Sequence, residues 1–86
     1  MTRLWGEEEV IKVTLDIRGW PMRFVWQSQA HVVQRVLQHW QVDTDWWSEQ
    51  GRVYRDYVCV TTTDGLLCVI CCDLLNQNWY LTKVYD

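Results

Sequence analysis

Seven apolar residues in a row, Leu66-Leu67-Cys68-Val69-Ile70-Cys71-Cys72, stand between Thr63-Asp64-Gly65 and Asp73. A run this short, with a turn signal at each end, suits a strand buried on both faces better than a helix. Asp64-Gly65 marks a hairpin because such turns need positive φ, which Gly adopts without strain. Ahead of the run, Val53–Thr62 interleaves Tyr54, Tyr57, Val58 and Val60 with Arg55, Asp56 and Thr61, a composition that fits a half-buried ladder. Behind it, Asp73–Asn78 supplies a second turn in which Asn76 or Asn78 is suited to left-handed backbone. Trp79–Tyr85 then closes the set, with Trp79, Leu81 and Tyr85 predicted on one face and Tyr80, Thr82 and Val84 on the other. Arg52–Asp86 is therefore a three-stranded meander with the apolar run at its centre.

The first half has the same character. Glu9–Ile17 alternates, with Ile11, Val13, Leu15 and Ile17 predicted to face a core and Val10, Lys12, Thr14 and Asp16 to face away. Arg18-Gly19-Trp20-Pro21 punctuates, and Met22–Gln27 continues as a strand with Met22, Phe24 and Trp26 on one face. Ala30–Trp40 is ambiguous, because Val32, Val33, Val36, Leu37 and Trp40 fall at helical spacing. Three valines, the lack of a strong helix start and short hairpin neighbours favour a long bent strand over a helix. A bulge near Gln34-Arg35 would turn Val33 and Val36 to the same side. Residues 43–49 form a loop or one short helical turn, with Asp43 or Asp45 as its N-cap.

Six strands with short connections and no βαβ spacing predict an all-β fold. It is either a small antiparallel six-stranded barrel of SH3-like type or a strongly curved meander sheet. The 86 residues make a single domain, in which 1–8 is a flexible lead. A chain of this size buries only about 60% of its unfolded surface, so each large side chain counts. Seven Trp, four Tyr and one Phe supply that bulk, and rings and thiols are expected to fill the interior.

The net charge of −3 lacks the basic footprint of a dedicated nucleic-acid binder. No segment has the length and apolarity of a signal peptide or a bilayer span, so a soluble, cytoplasmic protein is expected, with its cysteines reduced.

Cys68-Val69-Ile70-Cys71 has a zinc-ligand spacing, yet on a strand Cys68 and Cys72 point one way and Cys71 the other, and no second ligand pair follows. Cys in such a place behaves as a small hydrophobe. The only imidazoles, His31 and His39, have Cys59, Asp43 and Asp45 as conceivable companions, but no motif places them together. Asp56 and Asp73 are more simply turn acceptors or partners of Arg52 and Arg55. No catalytic residue, metal ligand or cofactor is assigned. The binding candidates are Trp46 and Trp47 in their loop, followed by Arg52, Tyr54, Arg55 and Tyr57, where cations alternate with rings that could stack bases or hold a peptide. The plainer alternative is that Trp46 or Trp47 plugs one end of a barrel while Arg stems cover Tyr rings.

Four pieces carry a resemblance: Phe24-x-Trp26; Val33-x-x-Val36-Leu37-x-x-Trp40; Trp46-Trp47; and Asp73-Leu74 running on to Trp79-Tyr80-Leu81 and Val84-Tyr85-Asp86. Together they resemble a small bacterial family, the domain of unknown function 6504, from about Glu9 to the last residue. Members of that family look like standalone proteins or tails of Y-family DNA-polymerase-like proteins. The resemblance implies a DNA-repair context by association and carries over no catalytic or binding residue. The chain departs from the family pattern at His31, where Tyr is commoner, and in its cysteine-rich Cys68–Cys72.

Two functions follow as expectations. The first is a non-enzymatic interaction module, accessory to bacterial DNA repair or translesion synthesis, that docks a protein partner. The second is a weak single-stranded nucleic-acid binder using Arg23, Arg35, Arg52 and Arg55 with neighbouring rings. No membrane partner is expected, and a homodimer is left open.

Overall fold

A computed structural model of the chain describes residues 2–44 and 53–85, with side chains from Glu9 onward. Its strands are β1 (Thr2–Leu15), β2 (Pro21–Trp26), β3 (Gln29–Asp43), β4 (Tyr54–Thr62), β5 (Leu67–Asp73) and β6 (Trp79–Tyr85). Each pairs antiparallel with the next, and β1 returns to pair with β6, so the sheet closes into a six-stranded barrel. The choice between barrel and open curved sheet is thereby settled. β1 starts well before the alternating Glu9–Ile17 stretch, since its backbone from Thr2 to Leu4 pairs with Tyr85 to Lys83.

The two long strands do the closing. β1 pairs with β6 as far as Ile11 and with β2 from Lys12 to Leu15, while β3 pairs with β2 over Gln29–Val32 and with β4 from Val33 to Asp43. A strand that serves two partners in turn has to bend. In β3 the bend is made by register shifts between Val33 and Arg35 and between Val36 and Gln38. Each extra residue advances the inward positions by three instead of two, so Val33, Val36 and His39 lie opposite Thr62, Val60 and Val58 on the inner face of β4. The helical spacing of this segment is the signature of two successive bulges, and Ala30–Trp40 is strand throughout. Asp43 is its last residue, so the helical turn envisaged for 43–49 does not begin there; residues 45–49 lie outside the described residues.

The interior is lined by Ile11, Phe24, Val58, Val60, Cys68, Ile70, Leu81 and Val84, with Val13, Trp26, Val33, Leu66 and Trp79 packed against them. Side-chain directions depart from simple alternation at three places. Leu15 and Ile17 are exposed, because a register shift after Thr14 and the turn at Asp16 end the strand early. Met22 is exposed for the same reason, and Pro21 takes the buried position. In β6 a shift between Lys83 and Leu81 makes Thr82 the extra residue, which moves Val84 inward beside Leu81 and turns Tyr85 outward.

The hairpin turns follow local chemistry. Gly65 takes φ +89° after Asp64, as the Asp-Gly pair requires. The β2–β3 turn uses Gln27 and Ser28, both at positive φ, which makes it the two-residue I′ type without Asn or Gly. In the β5–β6 turn the left-handed residue is Gln77, not an Asn; the Asn76 side chain instead accepts the Asn78 amide at 2.9 Å.

Candidate functional site

The central apolar run is buried on both faces, and that fact leads to the site. Cys68 and Ile70 point into the barrel, whereas Val69 and Cys71 point out of it and are still only 4% and 0% exposed. Outward-facing neighbours cover them. Cys71 lies between Tyr57 on β4 and Tyr80 on β6, and Val69 lies between Cys59 and Lys83. Trp40 on β3 stacks on Tyr57 with ring centroids 5.5 Å apart and planes 4° from parallel. Beyond Lys83, the Thr82 bulge swings Tyr85 onto this same face.

These side chains enclose a cleft of about 220 Å³ lined by Trp40, Tyr57, Val69, Thr82, Lys83 and Tyr85. Thr82 donates its hydroxyl to the Val69 carbonyl at 3.0 Å, so the polar group nearest the floor is already satisfied. At its edge Arg55 lies 5.3 Å from the Tyr80 ring centre and pairs with Asp73 at 3.5 Å. The expectation that rings fill the interior therefore holds only for some of them. Phe24, Trp26 and Trp79 serve the core, while Trp40, Tyr57, Tyr80 and Tyr85 stand on the outer wall of β3–β6.

Of the binding candidates named from sequence, Arg55 and Tyr57 share this outer wall. Tyr54 faces the other way, opposite Asp43 and two positions from inward-facing Asp56. Trp46, Trp47 and Arg52 lie outside the described residues. Sequence reasoning missed Trp40, Tyr80, Lys83 and Tyr85. Trp40 was hidden by the helical spacing, and Tyr85 by the bulge that reverses its face.

The remaining polar groups form two constellations. At one end of the barrel buried His31 stacks on Phe24, with centroids 5.2 Å apart, and its Nδ1 meets Asp64 Oδ2 at 3.0 Å. Buried Thr62 donates to the other Asp64 oxygen and accepts the Leu66 amide. The Asp64 carboxyl is held below its ordinary range, chiefly by the Thr62 hydroxyl, with His31 adding to it. Because the carboxylate stands between hydroxyl and imidazole, His31 does not reach Thr62 as a base, and the trio ties the β4–β5 turn to β3.

At the other end Asp56 accepts Gln41 Nε2 at 3.1 Å and lies 3.5 Å from His39 Nε2. Cys72 is its cross-strand partner, and burial followed by the Asp56 and Asp73 charges pushes that thiol up. A thiol so placed is the opposite of an activated nucleophile. Cys59 faces outward and His39 inward, so the companionship imagined for them does not occur. None of the four cysteines forms a disulfide, and burial drives the Cys68 thiol up to about 12. Among the described residues no three His, Cys, Asp or Glu side chains converge as metal ligands would, and no helix is long and apolar enough to cross a membrane.

A second depression, about 540 Å³, is a wide trough between the β1–β2 turn and bulged β3. Apart from Asp16, Arg35 and His39 it offers no ionisable groups, and the last of these is turned toward Asp56. The ring-lined cleft is smaller but better walled.

No curated protein and no solved structure matches the chain. A family model does match it over residues 6–86, and on that extent the chain belongs to the family described as Domain of unknown function (DUF6504).

Proposed function

We propose that this barrel is a non-enzymatic interaction module that docks a protein partner on the outer wall of β3–β6. The observation that carries this reading is the stacked Trp40–Tyr57 pair beside a cleft floored by Val69. Trp and Tyr rings beside a small apolar-floored pocket are the usual anchors of a protein interface, because they bury much area at little entropic cost. Nothing in the two polar constellations supplies an activated nucleophile with its base, and this favours a binding role. The polymerase-associated context that the family resemblance implies makes a component of a repair assembly the natural partner.

The nucleic-acid reading has one point in its favour, the cation–ring contact of Arg55 with Tyr80. It lacks a phosphate track. Arg35 and Arg55 sit opposite Thr61 and Val42, and β4 carries those levels six residues apart, about 20 Å along the strand. Arg55 is also already paired with Asp73.

Photo-crosslinking tests the reading. A benzoylphenylalanine placed at Tyr85 should yield a protein adduct in cells, and one placed at exposed Thr63 should not. Trp40→Ala should abolish the first adduct. Equal adducts at both positions, or none at Tyr85, would overturn the assignment of this wall.

A further inference from the structure

The geometry points to a specific occupant for the cleft: an extended peptide segment that inserts a proline ring between Trp40 and Tyr85 and sets a neighbouring Asp or Glu carboxylate on Lys83. This deepens the preceding proposal and rests on it.

The size of the cleft comes first. At about 220 Å³ it falls below the roughly 300 Å³ at which small-molecule and cofactor pockets begin, so it suits the side chain of a larger ligand. Its chemistry comes next. The floor is Val69, the Thr82 hydroxyl spends its proton on the Val69 carbonyl, and the walls are rings, so an apolar ring suits the slot. Ring-lined grooves favour proline-bearing segments, because the extended proline helix is preformed and loses little entropy on docking.

Charge selects the flanking residue. Lys83 lines the cleft, and no carboxylate of a described residue lies within ion-pair distance of it. Arg55 on this wall is held by Asp73, and Arg35, also on the outer face, lies on β3 and does not line the cleft. An ammonium with no carboxylate partner among the described residues, set beside an apolar slot, matches one carboxylate. A polyphosphate backbone asks for a row of cations, which a chain of net charge −3 does not present here.

The test is a titration of the full-length ¹⁵N-labelled chain followed by NMR. The probes are short synthetic peptides of alternating Pro-Glu, Pro-Lys and Ala-Glu, and an oligo(dT) strand. The Pro-Glu peptide should shift the Trp40 indole resonance and the Tyr57, Lys83 and Tyr85 amides. Lys83→Gln should weaken it about three- to fivefold, as expected for one exposed ion pair. Raised salt should have a similar effect, and Lys83→Glu a larger one, with the amide spectrum elsewhere unchanged. Equal binding of Pro-Lys overturns the role of Lys83, and equal binding of Ala-Glu overturns the proline slot. Oligo(dT) shifting the same resonances as strongly overturns the peptide in favour of nucleic acid. No cleft shift with Pro-Glu, together with adducts at Tyr85, removes this occupant and leaves the docking wall standing; absence of both removes both.

Discussion

At the scale of residues, the thiols and Asp64 give the sharpest expectations. Cys68 and Cys71 are fully buried on opposite sides of β5, and Cys68 is pushed to about 12, whereas Cys59 and Cys72 are partly exposed. At pH 8 an alkylating reagent should modify Cys59 and Cys72 slowly, and should reach Cys68 and Cys71 only when the barrel unfolds. Peptide mass mapping of native and urea-treated protein checks this, and rapid native labelling at Cys68 would contradict the buried strand. Asp64 behaves as a carboxylate whose pKa in the folded state lies below that in the unfolded chain. Its contribution is therefore present above the usual Asp value of about 4 and disappears as pH falls through the lower folded value. The Tm gap between wild type and Asp64→Asn should be constant near neutrality and should shrink with acid below that point. A gap that widens with acid would mean the Thr62–Asp64–His31 tie does not act as described.

At the scale of elements, the β2–β3 turn carries the clearest stored cost. Gln27 and Ser28 both hold positive φ in a I′ turn that Asn-Gly fits without strain. Left-handed backbone costs a side-chain-bearing L-residue about 1–2 kcal/mol, part of which Asn and Gly relieve. Gln27→Asn with Ser28→Gly should therefore raise Tm by about 4–8 °C per kcal/mol recovered in a domain this small. A fall in Tm on differential scanning would show that the native side chains make compensating contacts.

How far the elements were legible in the sequence follows from the same local rules. β5 was plain, because seven apolar residues between two turn signals leave little else. Its neighbours were equally plain from Asp64-Gly65 and from period-two patterning. What alternation cannot show is where it is interrupted. The bulges at Gln34, Leu37 and Thr82 each reverse the face of every later residue, and they depend on how two strands share a bent partner. That is why period-two patterning brings out Arg55 and Tyr57 but not Trp40 and Tyr85, while Tyr54, an even step from inward Asp56, falls on the opposite face.

At the scale of the whole molecule, closure explains the division of labour among the rings. Once β1 returns to β6, no strand order is left open, and Phe24, Trp26 and Trp79 join the core cluster. The outward rings of β3–β6 are then surplus to the barrel core, and they lie over the central strand where a partner would find them. Urea unfolding of Trp40→Ala, with Phe24→Ala as the internal scale, tests that division most directly. Phe24 is 0% exposed, and its truncation should cost about 3–5 kcal/mol. Trp40→Ala should cost less, because a half-buried ring loses only part of the transfer energy of a core ring, to which its stacking on Tyr57 adds about 0.5–1.5 kcal/mol. A loss at Trp40 equal to that at Phe24 would make Trp40 part of the core and contradict the account.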